Sequence, residues 1–319
     1  MGLIFTSLIY SAFVLFISIF LTIPFSSWLA RLVGAMDLPG EIKVHSQPTP
    51  RLGGLGILLA FILPLAGLFW FIDVPPAVHR QLIILLGLLI SLAICAYLDD
   101  VYNLTPILRL VVEGVIGSIL VLSIIGMGLN WLLLIIAWFW IVGLINAYNF
   151  LDGLDGLAGS VATVNLCALT ILLLLSGNDF LAIVAITMAL STCGFLRYNL
   201  PPASIFMGDI GSLSLGFIIS TLSLILVVNE NFSLNSLVAV TLAAALPLGD
   251  LVVSVIRRFL QGKSLFQGDR GHFYDVMVDR GGLSKPQATY FSLAIALVLS
   301  SLSVIAFRFS FSSLIQLFY

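Results

Sequence analysis

Charge is what this sequence has least of. Only 9% of its 319 residues are Asp, Glu, Lys or Arg, whereas 61% are hydrophobic. A soluble domain is about a quarter charged and about half apolar, and a globule of this length has too little interior to hide the difference. The composition excludes a water-soluble enzyme. Cysteine is almost absent, and the three present, Cys95, Cys167 and Cys193, lie far apart inside apolar runs. That excludes a disulfide framework and a cysteine metal site, leaving small packing residues. Short alternating strands are missing too, and with them the pattern of a membrane barrel. The chain also shows no internal repeat. It is instead dominated by long unbroken apolar runs, with a mean hydropathy of +1.19.

A membrane-crossing helix needs ~20 mostly apolar residues. The runs predict spans near 3–29, 53–72, 80–98, 107–126, 130–148, 154–175, 180–197, 210–228, 236–256 and 287–307. The expected fold is an all-α, polytopic membrane bundle of about ten helices, a single domain over residues 1–319. The first span has no basic leader and is too long for a secretory signal, so it is expected to be retained. The apolar tail from Arg308 to Tyr319 is short for another crossing. Of the 13 Lys and Arg residues, all but Arg80 and Arg308 lie on the loops after odd-numbered spans or, for Arg109, at the inner foot of span four. Basic residues collect on the cytoplasmic side of short loops, which predicts a plasma-membrane protein with both termini outside. The acids agree. Apart from Asp73, Asp179 and Glu230 on the outer loops, and Glu113 and Asp250 within spans, all of them fall on the same inner side. Loops that only join helices need no such chemistry, so the cytoplasmic face is the expected reacting centre.

Four groups of residues give that face its character. Tyr97-Leu98-Asp99-Asp100 ends the third span; two adjacent carboxylates at a membrane boundary repel unless a cation or donor sits between them. Such a pair suits a divalent metal or a base, although alone it also serves as a solvated helix stop. In Asn146-Ala-Tyr-Asn149-Phe-Leu-Asp152-Gly153-Leu-Asp155-Gly156, amides and acids recur every three residues. On a continuous helix they would drift off one face, so the Asp-Gly steps predict a break between spans five and six with all four polar side chains turned to one pocket. Phe206-Met207-Gly208-Asp209-Ile210-Gly211-Ser212 sets a carboxylate between glycines at a helix start, where it can hold a cation while backbone N–H groups face an anion. The last inner loop, Arg257 to Lys285, carries Arg270 and His272, and clustered cations beside a membrane bind phosphates. The first inner loop adds Lys43, His45 and Arg51-Leu-Gly53-Gly54. Of the intramembrane acids, Glu113 is expected to pair with Arg109, and Asp250 to support the site from behind.

Taken together, residues 37–54, 97–104, 146–159, 206–216 and 246–282 resemble, in order, the motifs of the polyprenyl-phosphate N-acetylhexosamine-1-phosphate transferases. These are the bacterial family 4 enzymes that start O-antigen, common-antigen and teichoic acid synthesis, related to the lipid I-forming translocase. The resemblance implies transfer of N-acetylhexosamine-1-phosphate from a UDP-sugar, UDP-N-acetylglucosamine among the candidates, to undecaprenyl or another polyprenyl phosphate. UMP is released and a cell-surface glycan, such as lipopolysaccharide O-antigen, is begun. It implies Mg²⁺, with Mn²⁺ as a substitute, on Asp209, and Asp99 and Asp100 as the catalytic acidic pair beside the lipid phosphate. Lys43, His45, Asn146, Asn149, Asp152, Asp155, Phe206, Arg270 and His272 are the implied substrate-binding set, with Phe206 similar to a residue that stacks on uracil. The implied partners are the nucleotide sugar, the lipid acceptor and the bilayer, without nucleic acid; a homodimer is compatible with it. One departure stands out: the family's last loop carries two or three histidines, but here the run is His272-Phe273-Tyr274-Asp275, which argues against the lipid I enzyme. The rival reading is a secondary transporter of a phosphorylated or nucleotide-linked solute. Transporters, however, set their sites near the bilayer midplane, whereas these polar residues gather at one face.

Overall fold

The computed structural model of the chain describes residues 2–38, 48–71, 74–102, 104–126, 130–264 and 270–309. The expected bundle is there. Among the described residues, nine helices are long and apolar enough to cross a membrane, or ten if one bent pair counts as a single span. The first crossing is α1 (Gly2–Ile17) and α2 (Ile23–Val33), joined by one π-helical stretch, Ser18–Thr22. A two-residue ribbon follows, β1 (Met36–Asp37) antiparallel to β2 (Thr49–Pro50). Next come α3 (Gly53–Phe71), α4 (Pro76–Tyr102), α5 (Pro106–Ile125), α6 (Trp131–Leu151), α7 (Leu157–Leu175) and α8 (Asp179–Asn199). The chain continues through α9 (Gly208–Asn229), α10 (Leu234–Ala243), α11 (Ala245–Leu260), α12 (Phe273–Asp279) and α13 (Lys285–Arg308). The apolar tail beyond Phe309 lies outside the described residues.

The helix at the centre is α9. Every residue from Ile210 to Val227 is buried, and α6, α4, α3 and α7 surround it. Its sequence explains the position. Gly, Ser and Thr are interspersed along it, and small residues let neighbouring backbones approach closely in a membrane interior. Their hydroxyls bond back to carbonyls one turn earlier, as in Ser220 to Phe217 O (2.9 Å) and Thr221 to Phe217 O (2.6 Å). Trp140 Nε1 on α6 donates to Ser223 Oγ at 2.9 Å. The outer helices instead turn large apolar side chains outward, among them Trp70, Trp131, Phe139 and Phe259, as a lipid-facing surface requires.

One expected span is not straight. The run 236–256 breaks at Ala244, where α10 and α11 meet at 73°. Pro247 is the physical cause: it has no N–H for the carbonyl of Ala243, and its ring clashes there. The break makes α11 strongly amphipathic, with Asp250, Ser254 and Arg258 on its buried face and Val253, Ile256 and Phe259 exposed.

Candidate active site at one end of the bundle

Five connections meet at a single end of the bundle, and backbone pairing fixes two of them. Phe206 N donates to Pro50 O at 2.8 Å, Gly53 N to Phe206 O at 2.9 Å, and Gly54 N to Met207 O at 2.9 Å. The segment after the ribbon is thereby tied to the start of α9. Only glycine permits the approach: a Cβ on Gly54 would lie 2.1 Å from Gly211 N. Gly208 takes φ +63°, and a Cβ there would meet Arg51 O at 2.7 Å and Asp100 Oδ2 at 3.1 Å. This turn presents Asp209 in the first turn of α9, beside the acids that end α4.

Two arginines hold these acids together. Arg51 Nη2 donates to Asp100 Oδ1 at 2.6 Å. Arg109 Nη1 donates to Asp99 Oδ2 and to Asp209 Oδ2, each at 3.1 Å. Arg109 Nε also lies 3.7 Å from Glu113 Oε1, the expected i, i+4 pair. Glu113 is fully buried, and its other oxygen accepts from Asn146 Nδ2. Asn149 Nδ2 donates to Asp209 Oδ1 and to Ser212 Oγ, each at 3.1 Å. A buried carboxylate is costly unless paired, and here Asp99, Asp100, Asp209 and Glu113 share two guanidinium groups and two amides. Asp152, just past α6, faces the same group. Desolvation in the cleft, reinforced by the negative charges of Asp209, Asp100 and Asp155 and opposed by Arg51, pushes its carboxyl up to about 7.

A cleft of about 480 Å³ opens beside this cluster, lined by Arg109, Asn146, Asn149, Asp152, Arg258 and His272, among others. Its far wall comes from α11 and the start of α12. His272 Nδ1 lies 2.7 Å from Asp250 Oδ2, and Asp250 Oδ1 accepts from Phe273 N at 2.8 Å. The imidazole stacks on Tyr274 at 5.4 Å and meets Phe150 edge-on at 5.4 Å. Arg258 lies over the Phe150 ring, 5.2 Å from its centroid. Tyr274 OH reaches Phe150 O at 3.1 Å. Gly153 makes room for that tyrosine, since a Cβ would lie 2.0 Å from the hydroxyl.

The structure thus brings together Asp99, Asp100, Asn146, Asn149, Asp152, Asp209 and His272. It sets others apart. The break between α6 and α7 falls at the Asp-Gly steps, but only three of the four polar residues line the cleft. Asp155 Oδ2 accepts from Ala203 N at 2.9 Å, and its carbonyl accepts from Thr289 Oγ1 at 3.0 Å, so it ties loops together. Arg270 pairs with Asp279 at 3.0 Å on an exposed surface. Phe206 is half-buried, its backbone engaged with Pro50 and Gly53. Lys43 and His45 lie outside the described residues. The expected pairing of Arg109 with Glu113 is there, but its bonds to Asp99 and Asp209, and that of Arg51 to Asp100, are not expected from the sequence, where these arginines also read as positive-inside residues.

Comparison with known proteins decides the family. The pattern of glycosyl transferase family 4 matches residues 82–227, a stretch that runs from before Asp99 to beyond Asp209. A decaprenyl-phosphate N-acetylglucosaminephosphotransferase of Mycolicibacterium smegmatis is 31% identical over 299 residues, covering 79% of this chain and 71% of that protein. The chain belongs to the polyprenyl-phosphate hexosamine-1-phosphate transferases of glycosyl transferase family 4. A probable undecaprenyl-phosphate N-acetylglucosaminyl 1-phosphate transferase of Bacillus subtilis is 29% identical, over 81% of this chain and 74% of its own length. An undecaprenyl-phosphate alpha-N-acetylglucosaminyl 1-phosphate transferase of Escherichia coli is 26% identical, over 92% and 81% respectively. For this family member, the match holds the acidic cluster and the Asn146–Asp155 segment but ends before α11 and the last loop.

Proposed function

We propose that this protein transfers N-acetylhexosamine-1-phosphate from a UDP-sugar to a polyprenyl phosphate at the cytoplasmic face of the plasma membrane, starting a cell-surface glycan. N-acetylglucosamine is the favoured sugar, because the relatives' names specify it. The observation that carries the reading is the junction of Asp99, Asp100, Arg109 and Asp209 beside a cleft lined by Asn149 and Asp152. Oxygen ligands and phosphate-binding cations are what a diphosphate in transfer requires. A transporter site at the bilayer midplane does not match a cluster confined to one end of the bundle.

A magnesium ion fits the same residues. Among the described residues, no three acidic, histidine or cysteine side chains close on one point. Mg²⁺ characteristically takes one or two carboxylates and completes its shell with water and substrate phosphate. Asp209 and Asp100 would hold it; Asp100 Oδ2 is buried with no hydrogen-bond partner of good geometry among the described residues. The ion would neutralise the diphosphate and the departing UMP. An oxygen of the lipid phosphate attacks the β-phosphorus of the UDP-sugar, one P–O bond forms, and the bond to UMP breaks. Asp99 orients Arg109, and Asn149 orients Asp209. Since a phosphate monoester has its second pKa near 6, the acceptor is largely dianionic at neutral pH, and positioning outweighs base catalysis. Direct attack needs no carboxylate nucleophile. Detergent-purified protein should release UMP only when UDP-sugar, polyprenyl phosphate and Mg²⁺ are all present, and EDTA should stop it. A stripped enzyme that exchanges labelled UMP into the UDP-sugar without acceptor would require a covalent intermediate. No UMP release from any UDP-N-acetylhexosamine would overturn the reading.

A further inference from the structure

Asp250 lies outside the family match and outside the acidic cluster, 4% exposed on the buried face of α11. A carboxylate at that depth needs donors for both oxygens, and it has them: the His272 ring at 2.7 Å and the Phe273 amide at 2.8 Å. Ser254, one turn further along α11, adds its hydroxyl 3.3 Å from the same ring nitrogen. The His272 main chain is pinned independently, because its N–H donates to Asp275 Oδ2 at 3.2 Å at the start of α12. The ring faces on Tyr274 and Phe150 fix its plane. With Nδ1 committed to Asp250, Nε2 is the nitrogen left for the cleft that His272 lines.

We propose that Asp250 is a positioning residue for the transfer reaction: it fixes the ring orientation and the Nδ1–H tautomer of His272, so that Nε2 is the nitrogen offered to a phosphate oxygen of the substrate. The role of a ring nitrogen is set by the hydrogen bond its partner nitrogen makes, and an orienting carboxylate of this kind acts through the histidine without touching substrate. The proposal rests on the phosphotransfer reading for its effect on rate, but the tautomer does not.

Two measurements separate these layers. The chain has only three histidines, so protein labelled with ¹⁵N-histidine gives an assignable imidazole spectrum once His272→Gln removes one set of signals. At a pH where the ring is neutral, His272 should carry its proton on Nδ1. Asp250→Asn, whose amide can donate to Nδ1, should move the proton to Nε2. A wild-type ring protonated on Nε2 would overturn the proposal, and it needs no activity and no variant to be seen. The second measurement is a double-mutant cycle on UMP release. Asp250→Asn and His272→Gln should each lower kcat at least about tenfold, and the double variant should be no worse than His272→Gln alone. Multiplying losses would mean that Asp250 acts elsewhere, as a merely structural residue would, while Asp250→Glu recovering part of kcat supports positioning. If wild-type protein releases no UMP while its spectrum shows the Nδ1–H tautomer, the functional reading fails and the Asp250–His272 pairing stands.

Discussion

Arg109 serves two carboxylates from one nitrogen and approaches a third, so its loss would leave Asp99, Asp209 and Glu113 sharing a buried site with little compensation. Removing one partner of a buried charge cluster costs more than the pair contributes, because the remaining charge stays desolvated. Arg109→Ala should therefore lower UMP release by at least about a hundredfold. Arg109→Lys keeps the charge but loses the two-pronged fork, and should recover only part; full activity in either variant would remove Arg109 from the site. Asp152 gives a prediction of opposite character. Its carboxyl is raised from 3.8 to about 7 in the folded protein, so folding takes up a proton between those values. Stability from this group is present at the acid end and declines as pH rises through about 7. Without divalent cation, Tm of wild type relative to Asp152→Asn should fall between roughly pH 4 and 7 and level off above. A flat difference would show that Asp152 is not desolvated in this way. The acids of the site were legible in sequence because carboxylates at a membrane boundary have few innocent explanations. Of their partners only the local one was, Arg109 four residues before Glu113; for the distant pairings, an arginine that closes a cluster and one that only marks the inner side look the same in a string.

At the level of elements, the site depends on how closely α3 and α9 start together. The backbone bonds from Gly53 and Gly54 to Phe206 and Met207 bring Arg51, Asp100 and Asp209 within reach of one another. Gly54→Ala would put a methyl 2.1 Å from Gly211 N, a backbone contact that cannot yield by rotating a side chain. Activity should fall by at least about tenfold and Tm should drop with it. Gly67, on the same α3 helix, has nothing within 4 Å of the corresponding position, so Gly67→Ala should leave both unchanged. If the two variants behave alike, the close approach does not position the site. Apolar run length predicted these helices well, since spanning the bilayer leaves the backbone few alternatives. It did not predict which helix would be central. The small and hydroxyl residues that bury α9 are a packing signal, and hydropathy averages them away. Nor did it show the 73° bend, although Pro247 and Gly249 were visible, because proline also sits in straight membrane helices. The pairing of Asp250 with His272 joins α11 to the start of α12 across the last inner loop and has no local sequence signal.

Across the whole molecule, the polar chemistry has one address. Arg51, Asp99, Asp100, Asp152, Asp209 and His272 come from five separate connections and converge at one end. From Gly208, beside Asp209, α9 runs 22 residues, about 33 Å at ~1.5 Å per residue, which matches the ~30 Å hydrocarbon thickness. Its far end carries amide and hydroxyl contacts, such as Asn229 Nδ2 to Asn178 Oδ1 at 2.8 Å and Ser233 Oγ to Ser236 Oγ at 3.0 Å. The two ends therefore lie on opposite sides of a bilayer, and the excess of Lys and Arg predicts that the site end faces the cytoplasm. The proposed function needs that sidedness, because it draws a nucleotide sugar from the cytoplasm and returns UMP to it. The test uses single cysteines in a protein whose Cys95, Cys167 and Cys193 have been replaced. In intact cells, a membrane-impermeant thiol reagent should label a cysteine at Asn229 and spare cysteines at Lys263 and Arg280, all three being exposed positions. Permeabilisation should make the latter two reactive. Labelling of Lys263 and Arg280 in intact cells, with protection at Asn229, would invert the topology and put the acidic cluster on the wrong side of the membrane for a cytoplasmic donor.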